Sequence, residues 1–394
     1  MRFFHLSDLH IGKQLHNYNL REDQEHILTE VIEYAKELRP DAIVIAGDIY
    51  DKSVPSGEAV TIFDEFLTEL SLLEPKIPVL MIAGNHDSAQ RLDYASRILG
   101  TQQIYIAGNA PETSEEYLKN VTLEDEYGTV HFYLLPFLKP GFVRGVFGGE
   151  VPVSYQDAVE KLLKRETECG KEHEALDWQE RNVLVTHQFY TGSGQEAQTC
   201  DSEIFSVGGL DRIDSSVIEK FDYVALGHLH GAQVAGKEQI RYCGTLLKYS
   251  VSEAKQEKRL HVVTLGEKGA PVQVETYPLH PLRDVRQIRG KLEQILSSAK
   301  PEEKEDYVSV TLTDEVDPYR PKEQLERVYS HILEVRIDNR RTRQLLNEIA
   351  QDDTFSDVLS VFAEFYKEIQ GKELSEEEIK IMEKIIEQGE ELEV

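Results

Sequence analysis

Several short polar motifs in this 394-residue chain combine side chains that bind metal ions with side chains that transfer protons. The fullest motif, Gly84-Asn85-His86-Asp87, directly follows the apolar segment 80–83. Asn85 can offer a carbonyl oxygen to a metal ion, and His86 can pass a proton to a reacting group. Gly84 has no Cβ, so the backbone can turn sharply where a strand leaves a sheet. One such motif is a weak signal, but it is one of five similar strand ends in this chain.

The four other strand ends also carry carboxylates or imidazoles. An apolar segment precedes each of them, and the polar residues that follow are Asp8 and His10, Asp48 and Asp51, His187, and His228 and His230. Side chains two positions apart in an extended segment point the same way, so Asp8 and His10 are expected to reach one ion together. A single histidine is more often structural than a metal ligand. Five such ends in one chain make coincidence a poor explanation.

Together the strand ends supply more ligands than one ion needs. The candidate metal ligands are Asp8, His10, Asp48, Asn85, His187, His228 and His230. A mixture of imidazole and carboxylate favours Mn, Fe or Zn over Ca or Mg. We therefore infer two ions that share Asp48, because a carboxylate has two oxygens. Two ions about 3.5–4 Å apart can stabilise an in-line displacement at phosphorus.

Two further residues of the same motifs are candidates for catalysis. His86 lies beside a ligand without being needed as one, and it is predicted to protonate the departing oxygen. Asp51 lies three residues beyond Asp48. Its carboxylate is predicted to orient His86 and to favour the protonated imidazole.

The segments between these motifs predict an α/β fold. Residues 22–38 and 57–73 have apolar residues at helical spacing, and they alternate with the first three apolar strands. This alternation predicts right-handed parallel crossovers, with the active site at the carboxyl ends of the strands. Such strands, buried on both faces, are typical of a sheet covered by helices. Residues 88–99 are predicted to form one further helix.

The composition changes near residues 278–284, and the second part of the chain is organised differently. A helix at 288–298, a strand at 307–312 and a helix at 321–329 predict a small α+β unit. We predict a catalytic domain at 1–275, a small domain at 280–340 and acidic C-terminal helices at 345–394. These last helices carry an apolar stripe, which predicts docking on another protein rather than a solvated face. The stripe consists of Val358, Phe362, Phe365, Tyr366 and Ile369.

Charge and cysteine content limit the possible substrates of the protein and the compartment in which it acts. The formal net charge is −29, and a negative charge of this size repels nucleic-acid phosphates. If DNA is the substrate, bound cations or a basic partner would have to supply the attraction. Three scattered cysteines do not form a disulfide framework and fit a reducing cytoplasm. No stretch approaches the apolar length of a membrane span.

The combined motifs resemble the calcineurin-like metallophosphoesterase superfamily over roughly the first two thirds of the chain. The resemblance implies two packed β-sheets flanked by helices, and manganese as the cofactor. Carried over by position, it assigns Asp8, His10, Asp48 and His230 to one metal. It assigns Asp48, Asn85, His187 and His228 to the other.

Three stretches are similar to the branch of this superfamily whose nucleases act in double-strand-break repair: residues 7–13, 186–189 with 206–209, and 242–250. This similarity implies a DNA exonuclease and endonuclease acting at double-strand ends and hairpins, in repair, recombination and replication. It also implies a small capping domain at 280–340, a homodimer within a heterotetramer, and C-terminal helices that bind a coiled-coil ATPase. The sequence departs from the branch at Leu246, where a proline is usual, and at Asp51, where some relatives have a histidine.

Two other functions remain open on the sequence alone. The negative charge favours a phosphoprotein, a nucleotide or another small phosphodiester as substrate. Protein phosphatases of the superfamily usually have Arg-Gly where Lys52-Ser53 stands, which disfavours that branch. A non-catalytic scaffold is the third hypothesis. Such relatives often lose ligands or the proton-donating histidine, whereas this chain retains the whole set.

Overall fold

The computed structural model describes residues 1–168, 175–203 and 211–341, with several positions between 362 and 382. The strands in chain order are β1 Arg2–Leu6, β2 Gln14–Leu15, β3 Tyr18–Asn19, β4 Ala42–Ile45, β5 Val79–Ile82, β6 Ile104–Ala107, β7 Lys119–Asp125, β8 Gly128–Leu135, β9 Arg181–Thr186, β10 Phe189–Thr191, β11 Arg212–Asp214, β12 Tyr223–Leu226, β13 Gln233–Val234, β14 Ile240–Tyr242, β15 Arg259–Thr264, β16 Gln273–Pro278, β17 Val285–Gly290, β18 Tyr307–Leu312 and β19 His331–Ile337. The α-helices are α1 Arg21–Leu38, α2 Gly57–Ser71, α3 Ala89–Leu92, α4 Ser96–Gly100, α5 Tyr155–Glu168, α6 Leu292–Ser298 and α7 Pro321–Leu325. Within the described residues, no helix combines the length and apolar character needed to cross a membrane.

Two six-stranded sheets form the framework of the first 280 residues. The first has the order β16-β15-β1-β4-β5-β6, and its strands β1, β4, β5 and β6 run parallel. The second has the order β13-β14-β12-β9-β8-β7, with β14, β12, β9 and β8 parallel. Antiparallel strands complete each sheet at its edges. The predicted α/β class with parallel crossovers is confirmed.

The two sheets pack on each other through one apolar layer. In β4, alternate residues point to opposite faces, so Ala42 and Val44 face the second sheet whereas Ile43 and Ile45 face helices α1 and α2. The layer between the sheets includes Phe3 from the first sheet and Phe132 from the second, whose rings meet edge to face at 5.4 Å. Helix α5 covers the outer face of the second sheet. Both faces of the central strands are buried, which explains their uninterrupted apolar sequences.

The prediction of a single helix at 88–99 is wrong. The segment forms two short helices, α3 and α4, because Ala95 between them adopts a left-handed backbone conformation with φ 60°. A left-handed residue cannot continue a right-handed helix. Exposed Tyr94 and Ile98 flank this break.

The region after residue 280 is an α+β arrangement built on a three-stranded sheet of order β17-β18-β19. The helix predicted at 288–298 begins only at Leu292, and strand β17 precedes it. Close contacts divide the chain into two compact units, one of residues 1–288, 298–310 and 322–335 and one of the remaining segments. The domain limits at 275, 280 and 340 stay a prediction.

Several sequence predictions fall outside the described residues. These are the stretch 206–209, the side chains of Val358, Phe365 and Ile369, and most of the predicted C-terminal helices at 345–394. Phe362 and Tyr366 of the apolar stripe are described, and their ring centroids lie 6.1 Å apart. Cys200 and Cys243 are buried and form no disulfide.

Two histidines lie in the layer between the sheets and make the fold sensitive to acid. His5 pairs with His261 across β1 and β15, and its Nδ1 lies 2.9 Å from the Tyr223 hydroxyl of the second sheet. Burial, with the neighbouring His261, lowers the pKa of His5 to about 3, and burial, with Arg241, lowers the pKa of His261 to about 4. In the unfolded chain these two histidines bind protons below about pH 6.5. In the folded protein they bind protons only when the pH reaches their lower pKa values.

We therefore expect the free energy of unfolding to fall as the pH drops from 7 to 5. His261 alone contributes a loss of about 2 kcal/mol over that window. Denaturant unfolding of the metal-free protein at both pH values measures it. The variant His261→Gln should show a correspondingly smaller loss, whereas His26→Gln, at an exposed position of α1, should behave as the wild type. Equal pH dependence in all three proteins would contradict the prediction.

Candidate metal centre

The five polar strand ends lie together at one edge of the two sheets. β1, β4 and β5 of the first sheet and β9 and β12 of the second all end there, and hydrogen bonds join the segments that follow. The amide of Asp8 donates to the carbonyl of Gly47 at 2.9 Å, and that of His10 donates to the carbonyl of Asp48 at 3.0 Å. All seven predicted ligands are brought into this one region. Asp8, His10, Asp48 and His187 are buried, and His228 and His230 are 7% and 2% exposed.

One oxygen of Asp48 lies near the middle of the group. Its Oδ2 is 3.3 Å from His187 Nε2, 3.6 Å from His10 Nε2 and 4.0 Å from His86 Nε2. The other oxygen, Oδ1, accepts a hydrogen bond of 2.8 Å from the amide of His86. This position is the one that a ligand shared between two ions would need.

The remaining donors surround Asp48 on both sides. Asn85 Oδ1 lies 3.1 Å from His187 Nε2 and 3.1 Å from His228 Nδ1. On the other side, His10 Nε2 and His230 Nε2 lie 3.1 Å apart. The donor atoms of Asp8, His10 and His230 all lie within 4.8 Å of one another, as do those of Asp8, Asp48 and His187.

The hydrogen bonds behind the histidines fit metal ligation. His187 Nδ1 donates to the carbonyl of Ala46 at 2.7 Å, which leaves Nε2 without a proton in the neutral ring. His230 Nδ1 lies 2.7 Å from Ser202 Oγ, so its Nε2 also faces the centre. Outer hydrogen bonds of this kind orient metal-binding histidines and fix their tautomers.

The charges of the centre also fit cations. Among the described residues, the ion pairs of Asp8 and Asp48 involve histidines only. Burial raises the pKa of Asp8. Burial acts in the same direction at Asp48, but the surrounding histidines outweigh it and hold the pKa of that carboxyl well below its usual range. Two buried carboxylates without a lysine or arginine partner are the arrangement that divalent ions would neutralise.

The histidines differ in their proton affinity. Burial lowers the pKa of His10 well below its usual value and that of His228 to about 3, so both imidazoles are neutral at pH 7, the form that binds a metal ion. Burial would also lower the pKa of His187, but the Asp48 carboxylate outweighs it and raises the pKa to about 9. A cation must therefore displace a proton from His187, so metal affinity should rise with pH.

Four of the candidate ligands lie on strained backbone. Asp8, His10, Asp48 and His228 have φ values of 53°, 44°, 52° and 102°, in the left-handed region that favours glycine. Such conformations cost about 1–3 kcal/mol each and cluster at functional sites. They also correct the sequence argument about Asp8 and His10. β1 ends at Leu6, so these two side chains converge through the turn that follows the strand rather than through strand alternation.

Two glycines are required by close packing around the ligands. A Cβ on Gly84 would overlap Asp48 Oδ1, and one on Gly227 would overlap both the Ala46 carbonyl and the His187 ring. The glycine before Asn85 and the glycine before His228 thus let adjacent strand ends approach each other.

His86 stands at the rim of the centre, and Asp51 contacts it in a way that the sequence did not indicate. His86 Nδ1 lies 2.8 Å from the backbone carbonyl of Asp51, not from its carboxylate. The Asp51 carboxylate pairs instead with Lys13 at 2.8 Å. The bond to the carbonyl places the Nδ1 proton outward and leaves Nε2 of His86 directed to the centre.

Asp87 holds two of the strand ends together, a role that sequence analysis missed. Its carboxylate accepts hydrogen bonds of 2.9–3.0 Å from the amides of Ile49, Tyr50 and Gly84. Burial and the charge of Asp48 raise its pKa to about 6. In the sequence, the feature that could have indicated this role is the position of Asp87 directly after His86.

A second missed residue, Glu253, supports His230 from far along the chain. Its carboxylate accepts from Ser202 Oγ at 2.7 Å, and Ser202 in turn contacts His230. Lys258, which is 7% exposed at its side chain, pairs with Glu253 at 2.7 Å and donates to the carbonyl of His230. Burial works against the charged form of Glu253, yet His230 and Lys258 hold its pKa well below the usual range. No local motif marks this residue.

Replacing Glu253 with glutamine is expected to lower metal affinity about 10- to 100-fold, because outer hydrogen bonds orient metal-binding histidines. The substitution also leaves Lys258 buried without its counter-charge, which destabilises by about 3–5 kcal/mol. Titration calorimetry with Mn²⁺ and thermal unfolding measure the two effects. Glu257→Gln is the matched control, since Glu257 is 79% exposed and pairs with Arg259 at the surface. Equal affinity in both variants would show that the network does not orient His230.

Comparisons with known proteins agree with this geometry. Residues 1–232 match the calcineurin-like phosphoesterase family, and residues 281–370 match a domain described as the type 5 capsule protein repressor C-terminal domain. The chain belongs to the calcineurin-like phosphoesterases. It is also 32% identical over 381 residues to the SbcD subunit of the nuclease SbcCD of Staphylococcus epidermidis, and the match covers 95% of both chains. Within that class, therefore, it belongs to the SbcD family.

Among solved structures, the phosphopantetheinyl hydrolase of Mycobacterium tuberculosis is similar to 61% of this chain over 86% of its own, with 16% identity and a TM-score of 0.35. A dimetal phosphatase from Danio rerio is similar to 70% of this chain over 99% of its own, with 14% identity and a TM-score of 0.38.

Proposed function

We propose that this protein is a divalent-metal-dependent nuclease that hydrolyses phosphodiester bonds of DNA at double-strand ends and hairpins. It would act in the cytoplasm, in DNA repair and recombination, as the nuclease component of a complex with an SbcC-type coiled-coil ATPase. The observation that carries the proposal is the cluster of seven donor side chains, Asp48 and the six around it, in a chain of the SbcD family.

In this proposal the donors hold two ions, with manganese as the cofactor. Asp8, His10, Asp48 and His230 hold one ion. Asp48, Asn85, His187 and His228 hold the other. When bound, such ions supply positive charge that polarises the phosphodiester and activates water. Their charge also offsets the repulsion between DNA and a chain of net charge −29.

His86 serves as the general acid. Its ring is held by the Asp51 carbonyl through Nδ1 and packs edge to face on His10 at 4.8 Å between centroids. Nε2 can then deliver a proton to the oxygen that leaves phosphorus. Asp51 is a positioning residue in this scheme, because it acts on His86 through its backbone carbonyl.

We also propose the following organisation of the chain. The catalytic domain spans 1–275, the capping domain spans 280–340, and the helices at 345–394 bind the ATPase. A homodimer forms through the segment around α3 and α4, where Tyr94 is 82% and Ile98 is 71% exposed. Light scattering of the double variant Tyr94→Glu, Ile98→Glu should give a monomer mass. Leu72→Glu, at another exposed apolar position, should not change the mass.

The decisive test is co-purification with the candidate ATPase, followed by cleavage of labelled duplex and hairpin DNA in Mn²⁺ with and without ATP. We expect cleavage that chelation abolishes. Absence of cleavage with both partner and ATP present would contradict the proposal. Hydrolysis of nucleotides or cyclic diesters without DNA cleavage would instead identify a small phosphodiester as the substrate.

A further inference from the structure

A pocket of about 340 Å³ opens beside Lys258, and all the residues that line it belong to the compact unit of residues 1–288, 298–310 and 322–335. Its apolar wall includes the buried side chains of Leu247, Leu279 and Val285. Pockets of about 300–1,000 Å³ that combine apolar walls with a few polar groups are typical sites for small molecules. At the lower end of this range, the pocket has room for one aromatic ring system.

The charged groups in the wall of this pocket neutralise one another. Each of its lysine and arginine side chains pairs with a carboxylate. The pairs are Lys248–Asp284 at 2.8 Å, Lys258–Glu253 at 2.7 Å, Arg259–Glu257 at 2.7 Å and Arg283–Asp23 at 2.9 Å. A charged ligand would have to replace one of these partners or remain buried without a counter-charge, which is costly. The pocket therefore favours an uncharged molecule.

One carboxylate of the wall has an oxygen without a partner. Asp23 is buried, and its Oδ2 accepts hydrogen bonds of 2.9 Å from the Tyr307 hydroxyl and from Arg283 Nη1. Its Oδ1 is also buried, and within the described residues this oxygen has no hydrogen-bond partner. A buried acceptor without a partner is costly, so a ligand that donates an N–H group to Oδ1 gains a hydrogen bond to a charged group. The pocket thus suits a neutral apolar ring system with one N–H donor.

The same wall is bonded to the residues that support His230. Lys258 Nζ donates to the carbonyl of His230 at 2.9 Å and to the carboxylate of Glu253 at 2.7 Å. The carbonyl of Leu247 accepts from the Thr245 hydroxyl at 2.6 Å, and the Thr245 amide donates to the same His230 carbonyl at 3.2 Å. A ligand that packs on Leu247 and Lys258 excludes water from these bonds. Polar interactions are stronger where water is excluded, so a bound ligand would hold His230 more firmly.

We propose that this pocket is an effector site for a neutral heteroaromatic molecule with an N–H donor, and that its occupation raises the affinity for the ion held by His230. The inference rests on the proposed assignment of His230 to a metal ion. It adds a ligand class and a form of regulation to that assignment. The coupling is reciprocal, so the ion raises the affinity for the ligand by the same factor.

Indole and 1-methylindole test the ligand class, because they share one ring system and only indole has the N–H group. An NMR titration of the full-length protein should show that indole binds with a Kd of about 1 mM or tighter. 1-Methylindole should bind about 10-fold more weakly, since it leaves Asp23 Oδ1 without a partner.

The variant Asp23→Asn locates the donor contact. Its amide oxygen can still accept from Tyr307 and Arg283, but its NH₂ group, in the place of Oδ1, cannot accept from the ligand. Indole should therefore bind this variant as weakly as 1-methylindole does. The affinity for 1-methylindole should equal that of the wild type, which shows that the pocket is intact. Glu22→Gln is the matched control, because Glu22 is an exposed second partner of Arg283 outside the pocket wall. It should leave both affinities unchanged.

A calorimetric titration with Mn²⁺, with and without saturating indole, measures the coupling. The Kd of one bound ion should fall about 5-fold or more when indole is present. In Glu253→Gln, indole should still bind but should leave the Mn²⁺ affinity unchanged, because the ion pair that joins the pocket wall to the support of His230 is lost.

The outcomes separate this inference from the proposed function, since none of these titrations contains DNA. Absence of indole binding, or equal affinity for the two indoles, would overturn the proposed site. Indole binding that leaves the Mn²⁺ affinity of the wild type unchanged would overturn its role as an effector site. In either case a complex that cleaves DNA keeps the nuclease function. A protein that shows the coupling but cleaves no DNA would keep the effector site and lose only the nuclease function.

Discussion

Replacing His86 with alanine is expected to lower the rate of DNA cleavage by about 10²- to 10⁴-fold, the contribution of a positioned general acid. His86 lies at the rim of the centre, with Nδ1 bonded to the Asp51 carbonyl and Nε2 4.0 Å from Asp48. An alkoxide leaving from a DNA strand needs a proton, so removal of the imidazole should slow this step directly. The rate constant of single-turnover cleavage in Mn²⁺ measures the loss.

The leaving group distinguishes proton donation from general damage to the site. A nitrophenolate leaves without being protonated, so hydrolysis of bis(p-nitrophenyl) phosphate should fall much less than DNA cleavage in the same variant. Bound Mn²⁺ should be close to that of the wild type, because His86 is not assigned as a ligand. His26→Ala, on the exposed face of α1, is the control. Equal losses on both substrates would contradict the role of general acid.

Replacing Asp48 with asparagine is expected to abolish cleavage, with a loss of about 10³-fold or more, since metal ions contribute several kcal/mol to catalysis. Asparagine has nearly the same shape and can still accept the hydrogen bond of the His86 amide at Oδ1. It lacks the second charged oxygen that lies within 3.3–3.6 Å of His187 and His10. The number of tightly bound ions should fall from two to one or none.

Elemental analysis after dialysis against limiting Mn²⁺ gives this number directly. Asp64→Asn, an exposed position in α2, should keep two ions and full activity. An Asp48→Asn protein that retains two ions and cleaves DNA at the wild-type rate would contradict the prediction. In that case the ions would not share this carboxylate.

The sequence was sufficient to predict that the polar strand ends lie together, because each of these strands is a short apolar run that ends in a polar motif. Buried parallel strands must be apolar on both faces, so the change to Asp, Asn or His marks where each strand leaves the core. The geometry of Asp8 and His10 differs from the prediction, because both residues lie beyond the end of β1 at Leu6. Both residues have positive φ values, and their amides bond to the neighbouring strand end, a long-range contact that no local pattern encodes.

Long-range contacts were also beyond sequence reasoning. Glu253 supports His230 through Ser202, and these three residues are separated by tens of positions with no shared motif. The contact of Asp51 with His86 uses the backbone carbonyl, so the identity of the side chain gave a misleading signal. The break between α3 and α4 depends on one left-handed residue, Ala95, whose type does not favour that conformation.

The donors are divided between the two sheets, and this division has a consequence for how the protein matures. The first sheet contributes Asp8, His10, Asp48 and Asn85, and the second contributes His187, His228 and His230. Neither half of the sandwich could retain a pair of cations alone, so tight ion uptake must wait until both halves have joined. Bound cations would then hold the two halves together, and resistance to unfolding should increase with the logarithm of free Mn²⁺ concentration.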